Sequence, residues 1–447
     1  MGTSDLPPSS LLSGAMTTLR IESPKRDASA KRGWSGFFPY YAGFPDRFAS
    51  ELIASATLDR EAVVWDPWNG SGTTTYAASS LGLNAVGGDI NAVMLIVARA
   101  RLLPVSEADS LVPVASRVIE AAARSRVKAR QDDPLALWFD APTTARLRAL
   151  DHAIRSHLVS SDTVRLAPSS LLQKMSGLAA SLYVSLFHLC RSKLSELQSS
   201  NPTWYRRELA GNSRISITRD DLNRTFLALV TSMKDALVSV PTMQFQERGH
   251  VSLYMGDTAN SHHTDRLFDF VLTSPPYCTR IDYAASTRIE LAIVGPWLAI
   301  DVNDLSRAMI GTTKVPRDEP SPRKAWGSEC IGFLKKVRDH TSKASRSYYY
   351  KNHLDYFDKM AKSMGSISSR LKKDAVAVLI VQDSYYKDVH NPLPLIITEM
   401  AAQVGLSQID QKDFNSVRSM SGINSSSTIY REHKRPVESV IVFRKGD

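Results

Sequence analysis

The chain has 447 residues, 43% of them hydrophobic, with a formal charge of +10 and a pI near 9.4. That length allows two or three domains, or one large core with a long insertion, and the basic excess suits a partner that carries phosphates. Three cysteines, at 190, 278 and 330, never form a CxxC pair, which excludes a disulfide framework and a cysteine zinc site and points to a reducing, cytoplasmic setting.

The N-terminus lacks the basic start and apolar run of a secretory signal, and Leu6 stands where a myristoylation site needs Ser or Thr. No uncharged apolar run is long enough to span a bilayer, so no membrane partner is expected. Residues 1–33, rich in Ser, Pro, Lys and Arg, read as a disordered tail. Residues 34–104 read as the first part of an α/β domain. Phe48, Leu52 and Ile53 share a helical face; "AVVWDPWNGSG" (62–72) is a strand breaking into a glycine turn; a helix follows, and "NAVGGDIN" (84–91) is a second strand. This order opens a doubly wound sheet of the Rossmann-like kind.

From 105 to 245 the pattern turns helical, with stripes at Leu178, Leu182, Leu186 and Leu189 and at Leu222, Phe226, Leu229, Met233 and Leu237. We read this as a large, mostly helical insertion. The α/β texture resumes over 246–447, with strands at 250–259, 267–277 and 375–384, helices at 352–371 and 393–403, and a final strand pair. Between them, 301–345 reads as a polar, variable stretch.

Two loops carry the chemistry. In "DPWNGSGTT" (66–74), Gly70 and Gly72 let the backbone approach a ligand, and the helix beyond offers free amides. A glycine turn alone is weak, and its strength comes from its company. Asp66 ends the strand before it, and Asp89 ends the next strand, where a carboxylate can accept from both ribose hydroxyls. Asp257, at another strand end, either receives an adenine amino group or serves ordinary turn chemistry.

The second loop, "VLTSPPYC" (271–278), stops a buried strand on two prolines. Lacking N–H groups, these present carbonyl acceptors without competing donors. A base –NH2 has two donors, which suit the Ser274 oxygen plus the Pro275 carbonyl, and Tyr277 can stack on a flipped ring.

With "TSPPY", "DPWNGSGTT" resembles the DNA amino-methyltransferases, which use S-adenosylmethionine to methylate exocyclic nitrogens. The family's catalytic pattern [DNS]PP[YF] is met by Ser274, Pro275, Pro276 and Tyr277, and its loop DPFxGSGTT by residues 66–74, with Trp68 for Phe. The resemblance assigns cofactor contacts to Phe44, Asp66, Pro67, Gly70, Ser71, Gly72, Thr73, Asp89, Asn91 and Asp257, and no metal. The segment around Phe44 lacks the His-Pro often found upstream of it. About two thirds of the chain is covered, leaving out 105–240 and 301–345.

The resemblance implies that amine hydrogen bonds to Ser274 and Pro275 favour a pyramidal, nucleophilic nitrogen that attacks a sulfonium methyl in line. SPPY leans towards cytosine N(4), DPPY and NPPY towards adenine N(6). The expected partners are double-stranded DNA with the target base flipped out and a cognate restriction endonuclease. An adenine or RNA target keeps the chemistry, and a non-catalytic nucleic-acid-binding subunit is the reading from another class. No cysteine follows a proline, as carbon-5 methylation requires, and Cys278 reads as a packed residue. Arg280, Asp282 and Tyr283 either flank the base or serve the fold. DNA contacts are sought at Arg317, Arg323 and Lys324, at "NPTWYRR" (201–207) and at "YREHKRP" (430–436), any of which can equally be a solvated face.

Overall fold

In the computed structural model the described residues are 19–25, 37–38, 43–159, 168–199, 204–206, 214–239, 248–260, 265–279, 282–316, 320–415 and 436–446. Arg280, Arg317, residues 430–435, most of the N-terminal stretch and most of 201–207 therefore lie outside them.

Strands β1 (Val63–Asp66), β2 (Asn84–Asp89), β3 (Val251–Met255), β4 (Phe268–Thr273), β5 (Leu371–Gln382), β8 (Leu406–Asn415) and β9 (Val437–Lys445) form a seven-stranded sheet in the order β3-β2-β1-β4-β5-β9-β8; β6 (Ser384–Tyr386) and β7 (Val389–Asn391) make a separate hairpin. The first five strands in that order are parallel, and β9 runs antiparallel to both its neighbours. Central parallel strands are covered on both faces, which is why "VVWD" and "FDFVLT" do not alternate with polar residues. Side-chain alternation instead sorts the strands into two cores. Val64, Phe270, Leu272, Val378 and Ile380 face one side, while Trp65, Val271, Ala377, Leu379 and Val381 face the other. The chain winds outward from β1 through β2 to β3, then returns to β4 on the opposite side of β1. That reversal puts a topological switch point between β1 and β4, where the helices on either side part and leave a crevice.

Helix α1 (Asp46–Ser55) precedes β1, α2 (Thr73–Ser80) joins β1 to β2, and α3 (Ala92–Arg101) leaves β2. The helical insertion follows as α4 (Leu111–Arg124), α5 (Ala141–Leu158), α6 (Pro168–Lys174), α7 (Gly177–Lys193) and α8 (Arg219–Val238). Side-chain caps start three of these helices: Asp140 accepts from the Thr143 amide, Ser176 from Ala179 and Thr218 from Asp221. Helix α8 is amphipathic as its stripe predicts, with Leu222, Phe226, Met233 and Leu237 buried and Leu229 partly so. Helix α7 departs from its expected stripe. Tyr183, Val184 and Phe187 are as buried as Leu182, Leu186 and Leu189, because neighbouring helices pack on several of its sides.

The chain after β4 holds α9 (Tyr283–Ser286), α10 (Arg288–Leu298), α11 (Val302–Ala308), α12 (Ser328–Asp339) and α13 (Tyr350–Arg370); α14 (Leu393–Gln403) follows the hairpin. Buried charges fasten the insertion to α10. Arg148 bonds Asp133 at 2.7 Å and donates to the Ala292 and Ile293 carbonyls, both at 2.6 Å. Arg191 pairs with Glu290 and donates to the Ser286 carbonyl. Removing one partner of such a pair costs about 3–5 kcal/mol, so these joints fix how the insertion sits on α9 and α10. The 301–345 stretch, polar in overall composition, also has a core side: Trp326, Cys330, Phe333, Leu334 and Val337 are buried.

Candidate functional site

The glycine turn is built by the end of β1 and the start of α2. Gly70 and Gly72 have φ of +48° and +82°, in the left-handed region. At Gly72 there is no room either, since a Cβ would lie 2.8 Å from that of Ala98. Asp89, at the end of β2, holds the turn from the side: its carboxylate accepts from the Gly70 amide at 3.0 Å and the Asn91 amide at 2.8 Å. Burial pushes the Asp89 carboxyl up to about 7 against those two stabilising bonds. Asn91 caps α3 through the Val93 amide and donates to Thr287 Oγ1 at 2.8 Å. Asp257 accepts from the Ala259 amide and from Asn260 Nδ2, so ordinary turn chemistry is in place there.

Strand β4 ends at Thr273, directly before Ser274. The two loops are neighbours because β1 and β4 pair in parallel, Trp65 opposite Val271, and two hydrogen bonds tie them together. Thr273 Oγ1 donates to Asp66 at 2.6 Å, and Thr74 Oγ1 donates to the Leu272 carbonyl at 3.0 Å. Burial raises the Asp66 carboxyl to about 6, countered by the Thr273 hydroxyl.

The proline loop is held from outside. Ser274 Oγ donates to the Ile380 carbonyl of β5 at 3.0 Å. The Tyr277 amide donates to the Tyr283 hydroxyl at 3.2 Å, and the Tyr277 hydroxyl donates to Glu438 of β9 at 3.1 Å. Tyr356 of α13 donates to the Pro276 carbonyl at 2.8 Å. Among the described residues no donor reaches the Pro275 carbonyl. Burial pushes the Tyr277 phenol well above its ordinary value and the Tyr283 phenol up to about 12, so both stay protonated.

Both loops open on one cleft of about 970 Å³, part of it open to solvent. Twelve of the fourteen sequence-predicted residues line it. Phe44, Asp66, Gly70, Ser71, Thr73, Asp89, Asn91 and Asp257 stand with Ser274, Pro275, Pro276 and Tyr277. Pro67 and Gly72 sit behind the wall: the Pro67 carbonyl accepts from Thr258, and Gly72 packs against Ala98. Lining residues that the sequence reading passed over include Asn69, Ile90, Met94, Met309 and Ile310. Asn69 lies inside the quoted glycine turn, so its place was the available signal. Met309 and Ile310 carried none, since they belong to the stretch read as variable surface.

Of the other candidates, Asp282 caps α9 and accepts from Thr313, and Tyr283 lines the cleft. Cys278 is buried and its thiol is raised to about 12. Arg323 and Lys324 are exposed, as is Arg206. Among the described residues no cluster of three or more His, Cys, Asp or Glu could hold a metal, and no helix is long and apolar enough to cross a membrane.

A doubly wound sheet with a glycine turn and a proline-ended strand facing one cleft at its switch point defines a Rossmann-like α/β protein. A family model described as DNA methylase, of the N6/N4 type, matches residues 18–98. The Type II methyltransferase M.BsoBI of Geobacillus stearothermophilus is 23% identical over 271 residues, covering 57% of this chain and 52% of the relative. The chain thus spans about half the length of the curated relative it matches. An rRNA methyltransferase, aviRa from Streptomyces viridochromogenes, aligns over 94% of each chain at 12% identity with a TM-score of 0.31, too low to bear on the fold. Over part of its length the chain is thus similar to DNA methylases of the N(4)/N(6) type.

Proposed function

We propose that the chain transfers a methyl group from S-adenosylmethionine to the N(4) amine of cytosine in double-stranded DNA, with the target base flipped out of the helix. The observation that carries this reading is that the glycine turn and the proline loop both line one cleft. The residues present fit the cofactor. Asn69 Nδ2 is buried without a partner among the described residues and belongs to a lining residue, and Asp89 offers a carboxylate at the end of β2. Gly70, Ser71 and Thr73 would hold the cofactor with Asp89 and Asp257, and Phe44 would close over it. When bound, S-adenosylmethionine supplies an electrophilic sulfonium methyl towards which the amine lone pair is directed.

The proline loop grips the amine. Because the Ser274 hydroxyl spends its hydrogen on Ile380, its lone pairs are left to accept one amine hydrogen. The Pro275 carbonyl accepts the other, as the Pro276 carbonyl is already taken by Tyr356. Two acceptors on one –NH2 draw the nitrogen lone pair out of ring conjugation, and Tyr277 stacks on the ring. No covalent nucleophile is required; positioning and fixed dipoles supply the rate. The proton released after transfer passes to solvent. The serine ahead of the prolines favours cytosine over adenine, and likeness to a Type II methyltransferase of Geobacillus stearothermophilus accords with a methyl-transfer role. A reducing, cytoplasmic setting accords with the three buried free thiols.

Calorimetric titration with S-adenosylmethionine, followed by labelled methyl transfer to mixed duplex DNA, tests the reading. Saturable binding and incorporation are expected. Absence of both would favour a non-catalytic nucleic-acid-binding subunit.

A further inference from the structure

Helix α13 and the residues just before it turn one side toward the proline loop. Tyr348 donates to the Thr313 carbonyl at 2.7 Å, and Tyr356 to the Pro276 carbonyl at 2.8 Å. Lys359 donates to the carbonyls of Arg307 at 2.7 Å and Met309 at 3.3 Å. Positions 348, 352, 356 and 359 recur at helical spacing and so share that side. Its neighbours are the catalytic loop and the 307–313 segment, which includes the cleft residues Met309 and Ile310. Gly311 brings this segment close to the loop, for a Cβ there would lie 3.1 Å from the Tyr277 carbonyl.

Asn352 stands between Tyr348 and Tyr356 in this row. It is 7% exposed, and among the described residues neither its Oδ1 nor its Nδ2 has a hydrogen-bond partner. Tyr348, Tyr356 and Lys359 each spend a donor on a backbone carbonyl; Asn352 spends nothing. A carboxamide buried with its donors and acceptor unmet is costly to keep, and an incoming polar ligand relieves that cost.

We propose that Asn352 is a base-binding residue that donates from Nδ2 to the ring nitrogen beside the exocyclic amine of the flipped base and so orients it. The inference rests on the amino-methyltransferase reading of the same site. With both amine hydrogens taken by Ser274 and Pro275, the neighbouring ring nitrogen (N3 of cytosine, N1 of adenine) is the adjacent unfilled acceptor. A donor there fixes the ring's rotation, and with it the direction of the amine lone pair.

The test is a cycle between residue and substrate. The methylated position is first located by sequencing plasmid DNA treated with the wild-type protein. Synthetic duplexes then carry either the natural base or its deaza analogue, 3-deazacytosine or 1-deazaadenine, which keeps the amine and loses the ring acceptor. Wild type should lose about ten- to a hundred-fold more in kcat/KM on the analogue than Asn352→Ala does, since one hydrogen bond is at stake. Asn352→Asp, equal in shape but without the donor, should behave like the alanine variant and covers the case in which alanine fails to fold. A structural amide would show the opposite pattern: a lowered melting temperature and a deaza penalty as large as that of wild type. That pattern would overturn the proposal. If wild type transferred no methyl to any natural duplex, the methyltransferase reading itself would fall; intact transfer with equal deaza penalties would remove only the role of Asn352.

Discussion

The two walls of the cleft are built differently. The glycine turn is mostly local: its bonds run from Asn69 to Gly88, from Gly70 to Asp89 and from Asn91 to Asp89, all within two successive strand ends. The proline loop is held by Tyr356, Ile380 and Glu438, between 80 and 161 residues away, and by the nearby Tyr283. A wall of the first kind is written in one stretch of sequence. A wall of the second kind is assembled by topology, and its supports cannot be read from its own motif.

Substitutions can break each wall separately. The largest expected effect is on the grip: on the proposed function, Ser274→Ala removes an acceptor for the reacting amine and should lower kcat by roughly 10²–10³-fold. Calorimetry should show cofactor affinity nearly unchanged, and turnover that survived both Ser274→Ala and Tyr277→Ala would remove the catalytic assignment. On the other wall, Gly72→Val adds a side chain at φ +82° against Ala98. Strain plus overpacking should cost roughly 2–4 kcal/mol in urea unfolding, and loss of the turn should weaken cofactor binding.

A smaller effect is expected from Tyr356→Phe, which leaves the Pro276 carbonyl without its donor. The cost of about 1–2 kcal/mol should appear as a five- to thirty-fold fall in kcat with cofactor affinity intact, separating the distant support from the local wall. Smallest should be Tyr277→Phe, which keeps the stacking ring and frees only the bond to Glu438. A change of no more than about threefold in kcat is expected from losing one net hydrogen bond.

Acidity distinguishes the walls as well. The Asp89 carboxyl is raised to about 7 and Asp66 to about 6, both above the ordinary aspartate value of 3.8. The folded protein therefore holds protons that the unfolded chain has released. The stability these groups contribute is complete below pH 3.8 and is lost as pH rises through 6 to 7. Cofactor binding should run the other way, because an ionised Asp89 accepts ribose hydroxyls better than a neutral one. Affinity should tighten between pH 6 and 8 around the Asp89 value of about 7, and Asp89→Asn should flatten that dependence. A wild-type affinity independent of pH would count against Asp89 as the ribose contact.

Most of the fold was legible because its signals are short-range. Buried strands bounded by Gly and Pro, an aspartate at each strand end, and the switch from strands to helical periods gave the sheet and the insertion. Twelve of the fourteen residues predicted from the sequence line the cleft, because most of them sit in two short motifs at strand ends. Overall polarity hid the rest. The 301–345 stretch looks like surface, yet Cys330, Phe333, Leu334 and Val337 fall at helical spacing and are buried. Met309 and Ile310 reach the cleft only because the chain folds back over the proline loop. The all-round burial of α7 depends on helices far apart in the chain, which no single stripe can foretell. Asn352 is the extreme case: an asparagine in a polar helix gives no hint of itself until three neighbours are seen to reach the site.

The most direct measurement is nucleoside mass spectrometry of mixed duplex DNA and RNA after incubation with labelled S-adenosylmethionine. The account predicts label in N(4)-methylcytosine from DNA. Label in N(6)-methyladenine, or in RNA alone, would contradict it.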